Sequence, residues 1–227
     1  MASETSTSSV RKSMAGGWGD WWKEKKKNND EFLFAAERGD LEKLKKYLSP
    51  EKMMGMVADV AAKGLDNWTA LHFAANGGHY HIIEELLKKS ETDVNAESKI
   101  QRTPLHIASS NGHTNIVKAL ILKGADPNCK DEDESTPIHN ASQYGFIDTL
   151  TFLLKDAKAD TSIRNKFGQY ASDISMNLET RQVFEANGGN HNASENLGIS
   201  KSASHNAQYG RTAFNGVLRH NDRVNTV

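Results

Sequence analysis

The strongest constraint on this chain is a tetrapeptide that returns in register. It stands at Thr69-Ala70-Leu71-His72, Thr103-Pro104-Leu105-His106 and Thr136-Pro137-Ile138-His139, with the threonines 34 and 33 residues apart. A Gly follows each Thr by nine residues (Gly78, Gly112, Gly145), and each Gly leads into an apolar run that ends at Leu87, Leu122 or Leu154. The period closes with Asp93-Val94-Asn95, Gly124-Ala125-Asp126-Pro127-Asn128 and Ala159-Asp160. The chemistry of one period is readable. Thr opens a helix, and Pro fits the first helical position because no amide is needed there. Gly supplies the reversal, and the apolar run is one face of a second helix. One such unit cannot bury its own apolar face, so neighbours must stack and share a core, and about three units suffice.

The tetrapeptide, the Gly turn, the second helix and the Gly-Ala-Asp-x-Asn loop together resemble the ankyrin repeat. The resemblance implies an all-α solenoid of helix-turn-helix units joined by β-hairpin-like loops. The register extends upstream, where Phe34-Ala35-Ala36-Glu37-Arg38-Gly39-Asp40-Leu41 matches Phe73 to Tyr80. That first repeat lacks the Thr-Pro-Leu-His opening, as expected of a capping unit. Extra residues around Ser49-Pro50-Glu51-Lys52-Met53-Met54-Gly55 read as a surface insertion, which costs little. Downstream, Tyr170 takes the Thr position, Asp173 takes the His position, and Glu179 to Phe184 supplies a last helix. The repeat body is expected at residues 29–186, with four repeats and a shortened fifth as C-terminal cap. Residues 1–28 read as a polar tail carrying a Trp/Lys segment, 187–209 as a linker, and 210–227 as a partial repeat-like segment.

Composition narrows the function. Lys plus Arg total 28 against 29 Asp plus Glu, for a net charge of −1. That balance argues against a broad nucleic-acid footprint. No run reaches the roughly 18 apolar residues of a membrane helix, and the opening has no apolar signal core. One cysteine, Cys129, fits a reducing compartment. The expected location is therefore cytoplasmic, with cytoskeleton or nucleus open. No phosphate-binding Gly loop, Ser-nucleophile elbow, paired-Cys site or zinc-protease motif is present, so no catalysis, cofactor, metal or small-molecule substrate is expected. His72, His106 and His139 come one per repeat. Packed helices lie about 8–10 Å apart, so the three cannot converge on one ion. Each is expected to bond from its helix start to the loops. Asp131-Glu132-Asp133-Glu134 lacks calcium-loop spacing and reads as a solvated tip. Cys129 reads as structural.

The resemblance implies protein binding through the hairpin tips and the concave face of the first helices. Register then selects residues. Trp68, Ile100, Arg102 and Phe167 fall at tips and Tyr144 at the end of a first helix, beside the concave positions Asn76, Ser110, Asn111 and Gln143. Aromatic residues and Arg are enriched among interface hot spots, so these five are the expected anchors. The alternative is that each aromatic packs on its own hairpin. Glu132, Asp133 and Glu134 are expected to set a charge preference. Trp18, Trp21 and Trp22 serve either as a cap folded on the first repeat or as a partner anchor, an interfacial membrane contact ranking below both because the stretch is short and its charge mixed. The expected function is a scaffold or adaptor within a larger assembly. The alternative is an inhibitor of a single partner. Asn95 and Asn128 also resemble the asparagines that are hydroxylated in ankyrin loops.

Overall fold

The computed structural model describes residues 18–49 and 58–187, with side chains from Trp22 onward. Nine α-helices lie among the described residues. They are α1 (Trp18–Arg38), α2 (Leu41–Leu48), α3 (Ala70–Gly77), α4 (Tyr80–Leu86), α5 (Pro104–Ser110), α6 (Thr114–Leu122), α7 (Pro137–Tyr144), α8 (Ile147–Lys155) and α9 (Leu178–Ala186). They pair as α1/α2, α3/α4, α5/α6 and α7/α8. The first helices stack in the order α1, α3, α5, α7, and the second helices stack as α2, α4, α6, α8, α9. This is the all-α solenoid that the period implies. A single core runs between the two layers, built on Phe32, Leu44, Ile83, Leu86, Leu105, Leu120, Ile138, Leu150, Leu153 and Phe184.

The recurring Thr and His hold consecutive repeats together. In α3, the His72 Nδ1 accepts the Thr69 backbone N–H at 3.1 Å and lies 2.8 Å from the Thr69 hydroxyl, while Nε2 lies 2.9 Å from the Arg102 carbonyl. His106 repeats this with Thr103 and the Ser135 carbonyl, and His139 with Thr136 and the Gln169 carbonyl. A backbone N–H can only donate and a carbonyl can only accept. Each ring is therefore neutral, with its proton on Nε2. Both nitrogens of all three imidazoles are occupied by this bridging.

The hairpin-like loops share one closing bond. Each tip is closed by an N–H donating to the carbonyl four residues on: Gly64 to Trp68, Ser98 to Arg102, Asp131 to Ser135, and Asn165 to Gln169, at 2.8–3.0 Å. Adjacent tips are laced by Lys99 N–H to the Asp66 carbonyl, Glu132 to Ile100, and Lys166 to Asp133. The pairing stops short of strands. Among the described residues the only β-bridge is Arg164 with Tyr170. The fourth residue of every tip is left-handed: Asn67, Gln101, Glu134 and Gly168, at φ 61°, 58°, 55° and 73°. A left-handed side-chain residue costs about 1–2 kcal/mol, which Gly avoids in part. Gln101→Gly is therefore expected to raise the domain's unfolding free energy by about 0.5–1 kcal/mol. Urea unfolding followed by circular dichroism reads this. A loss of stability would mean that the Gln101 side chain does more for the tip than its backbone conformation costs.

The two ends depart from the simple register. α1 begins at Trp18, so the Trp/Lys segment expected within the polar tail is helical and continuous with the first helix of the repeat body. Asn28 is buried, and the Asn29 side-chain oxygen accepts the Asp59 N–H at 3.0 Å. These tertiary contacts hold the helix where apolar periodicity is weak. At the other end, residues 171–175 form turns in place of a first helix, and α9 alone covers α8. Asp173 keeps half the His role, accepting the Tyr170 N–H at 2.9 Å. Of the insertion expected around Ser49–Gly55 and the linker expected at 187–209, only Ser49 and Asn187 are described, and the partial repeat expected at 210–227 lies wholly outside the described residues.

Candidate protein-interaction face

The expected anchors divide into three kinds of environment. Ile100 and Phe167 occupy the same tip position, where the other two tips carry Asp66 and Asp133. Ile100 is 43% exposed and Phe167 64%. Neither is needed by its turn, whose closing bonds are main-chain or come from the Ser98 and Asn165 side chains. The Lys166 ammonium sits 5.3 Å from the Phe167 ring centre. Tyr144 is also exposed, at 41%, and leans on Phe146 with ring centres 6.5 Å apart. It closes α7 at the end remote from the tips. Eight residues of helix span about 12 Å, so Tyr144 forms a separate site from Ile100 and Phe167.

Trp68 and Arg102 are engaged within the fold. Trp68 is half-buried, stacked 6.0 Å from His72 and edge-on at 5.2 Å to Phe73. Arg102 donates from Nε to the Asp131 carboxylate at 3.3 Å. Its carbonyl also receives the His72 bond.

The acidic run differs from the solvated tip expected of it. Asp131 is buried, and its Oδ1 accepts from the Asp133 and Ser135 N–H groups at 3.0 and 2.9 Å. It is the register equivalent of Ser98 and Asn165, so its role is to hold the turn. Asp133 pairs with Lys166, and Glu134 pairs with Lys130 at 3.0 Å. Three of the four carboxylates thus already have cationic neighbours, and Glu132 is the exposed remainder. The physical reason is the stacking itself, which brings Lys166 and Arg102 of adjoining repeats onto this tip. Removing a buried, hydrogen-bonded carboxylate strips partners from Arg102 and two amides. Asp131→Ala is expected to destabilise the domain by about 3 kcal/mol. A change within about 0.5 kcal/mol in a denaturant series would remove Asp131 from this role.

Cys129 is partly buried, 3.4 Å from the Thr103 hydroxyl and 3.6 Å from His106 Nδ1. Burial pushes its thiol up to about 11, which keeps it protonated and a poor nucleophile. The asparagines of the long loops are also bridging groups. Asn95 accepts the Asp126 N–H at 3.0 Å, and Asn128 accepts the Asp160 N–H at 2.8 Å. Of the N-terminal tryptophans, Trp22 is exposed, while the side chains of Trp18 and Trp21 lie outside those described.

Sequence reasoning missed other exposed apolar groups. Leu65 stands on the first tip, Met176 stands beside the Gly145 turn, and Leu178 opens α9. Leu65 was legible from register alone, being one position ahead of the site that Ile100 and Phe167 share. Met176 was not, because the shortened fifth repeat breaks the period there. Among the described residues no group of three or more metal-ligating side chains converges, and no helix is long and apolar enough to cross a membrane.

Stacked helix-turn-helix units, tips laced repeat to repeat and a Thr–His bridge at each joint from the second repeat onward define a repeat solenoid of the protein-binding kind. The chain belongs to the ankyrin-repeat family, since the family model "Ankyrin repeats (3 copies)" matches residues 32–131 and 93–165. It is similar to human cyclin-dependent kinase inhibitor 2A, with 40% identity over 65 residues that cover 28% of this chain and 41% of that one. Human cyclin-dependent kinase 4 inhibitor B shows 38% identity over 65 residues, covering 28% and 46%. The ankyrin repeat and LEM domain-containing protein 2 homolog of Caenorhabditis elegans shows 26% identity over 148 residues, covering 63% of this chain and 23% of that one. Each alignment spans less than half of the relative. Membership makes the chain a protein–protein interaction module whose partners are proteins.

Proposed function

We propose that this chain is a non-catalytic scaffold or adaptor, acting in the cytoplasm as a subunit of a larger assembly. Ile100 and Phe167 on the tips are its principal anchors, and Tyr144 is a second contact. The observation that carries this reading is the exposure of two large apolar side chains at equivalent tip positions where the turn requires neither. Burying such groups against a partner is worth about 25 cal/mol per Å2 of apolar surface removed from water. Glu132 adds a local preference for a basic neighbour, and its three neighbouring carboxylates contribute less because Arg102, Lys130 and Lys166 already face them.

The test is purification of the tagged chain from its native cells beside Ile100→Asp/Phe167→Asp. Both positions are exposed, so the double variant is expected to fold normally and to lose the co-purifying proteins by about tenfold or more. Retention of the same proteins at the same yield would remove the tips from the interface. A second reading, an inhibitor bound to one kinase, is favoured by the similarity to the two cyclin-dependent kinase inhibitors. It predicts a single co-purifying partner in a small complex. The adaptor reading predicts several partners in a large one.

A further inference from the structure

One helix is longer than its repeat requires. α3, α5 and α7 have eight, seven and eight residues, whereas α1 has 21. The extra turns precede Asp30, the register equivalent of Thr69. From these turns into the repeat's own part of the helix, Lys23, Lys26, Lys27, Asp30, Glu31 and Phe34 line a depression of about 470 Å3. Residues three and four apart are neighbours on a helix, so these six form one stripe. Phe34, 39% exposed, is its apolar floor, and the Arg38 guanidinium lies 4.3 Å from the Phe34 ring centre. Lys26 and Lys27 are exposed. Of the two acids in the lining, Glu31 accepts a hydrogen bond from the Tyr47 hydroxyl of α2. The cations Lys23, Lys26 and Lys27 therefore gather at the N-terminal end of the stripe, and Asp30 and Glu31 lie nearer Phe34.

We propose that this stripe docks an acidic segment of a partner protein. An apolar side chain of that segment covers Phe34, and its carboxylates face Lys23, Lys26 and Lys27. Charge complementarity selects this occupant over the chain's two terminal segments. Residues 1–17 carry Arg11 and Lys12 against Glu4, and residues 188–227 carry Lys201, Arg211, Arg219 and Arg223 against Glu195 and Asp222. Both are basic and would be repelled. Exposed lysine–carboxylate pairs add little affinity singly. The Phe34 contact supplies most of the binding, and the lysines select the sign of the partner and speed its approach. This surface is distinct from the tips and does not depend on their role.

The test uses the full chain and a short fluorescent peptide alternating Glu and Leu, with a Lys–Leu peptide as the sign control, read by anisotropy. The Glu–Leu peptide is expected to bind in the micromolar range and to weaken as salt is raised. The Lys–Leu peptide is expected not to bind. Lys26→Glu/Lys27→Glu should weaken binding by about tenfold. Lys26→Gln/Lys27→Gln, which adds no repulsion, should weaken it by about threefold. Circular dichroism checks that each variant is folded. Ile100→Asp/Phe167→Asp should bind as the unaltered chain does, which separates failure here from failure of the tip reading. Undiminished binding by both lysine variants, equal binding of the Lys–Leu peptide, or loss of binding in the tip variant would each overturn the proposal. So would self-association of the chain in sedimentation that Lys26→Glu/Lys27→Glu abolishes, because the stripe would then belong to a second copy.

Discussion

Between pH 6.5 and pH 4 the folded domain is expected to lose about 3 kcal/mol of stability through His72 alone, with further losses through His106 and His139. The cause is burial. Desolvation pulls His72 down from 6.5 to about 4, and burial lowers His106 and His139 as well. In the unfolded chain each imidazole takes up its proton near its ordinary value. In the folded chain the proton would enter at Nδ1, which already faces the Thr N–H and hydroxyl, and would bring a charge into the core. The folded pKa is depressed, so this stabilisation is fully present above pH 6.5. It is lost as pH falls through the window toward the folded value. Urea unfolding at a series of pH values should give a plateau above that window and a steep decline within it. His72→Gln should be less stable at neutral pH and show a shallower decline. A flat profile through the window, or an unchanged slope in the variant, would contradict the assigned role of the histidines.

The second large effect concerns the turns inside the repeats. Gly112 has φ +69°, and a Cβ there would lie 2.6 Å from Cε1 of Phe146 in the next repeat. Gly112→Ala therefore combines a left-handed penalty of about 1–2 kcal/mol with overpacking of about 1–3 kcal/mol. The expected destabilisation is about 3 kcal/mol. Gly124 separates the two contributions. It is also left-handed, at φ +90°, but nothing lies within 4 Å of its Cβ position. Gly124→Ala should cost only about 1 kcal/mol. Trimming the ring with Phe146→Ala should reduce the further loss caused by Gly112→Ala, a coupling readable in a double-mutant cycle. Additivity of the two changes would mean that the stacked turn is not the source of the cost.

The same turn shows why much of the fold was legible. Gly39 lies under His79, Gly78 under His113 and Gly112 under Phe146, so one contact is written once per period and the period displays it. The Thr–His bridges are legible for the same reason, because each copy repeats the chemistry of the others. What escaped the sequence were features belonging to one copy only. The Lys25-Lys26-Lys27-Asn28-Asn29 stretch has no apolar rhythm, and its helix depends on tertiary contacts such as Asn29 with Asp59, 30 residues away. The pairing of Arg102 with Asp131 spans 29 residues, so neither residue announces it locally. That pairing converts an expected anchor and an expected surface acid into a structural couple. The exposure of Ile100 and Phe167 was inferable because a tip position that is Asp in two repeats is apolar in the other two.

The most direct test of the account is amide hydrogen exchange on the chain alone and on the complex recovered from its native cells. New protection is predicted at residues 98–102 and 165–169, with a smaller effect at the end of α7 around Tyr144. The outer faces of α4 and α6 should be unchanged. Protection confined to the second helices, with the tips exchanging as in the chain alone, would contradict the assignment of the tips as the interaction face.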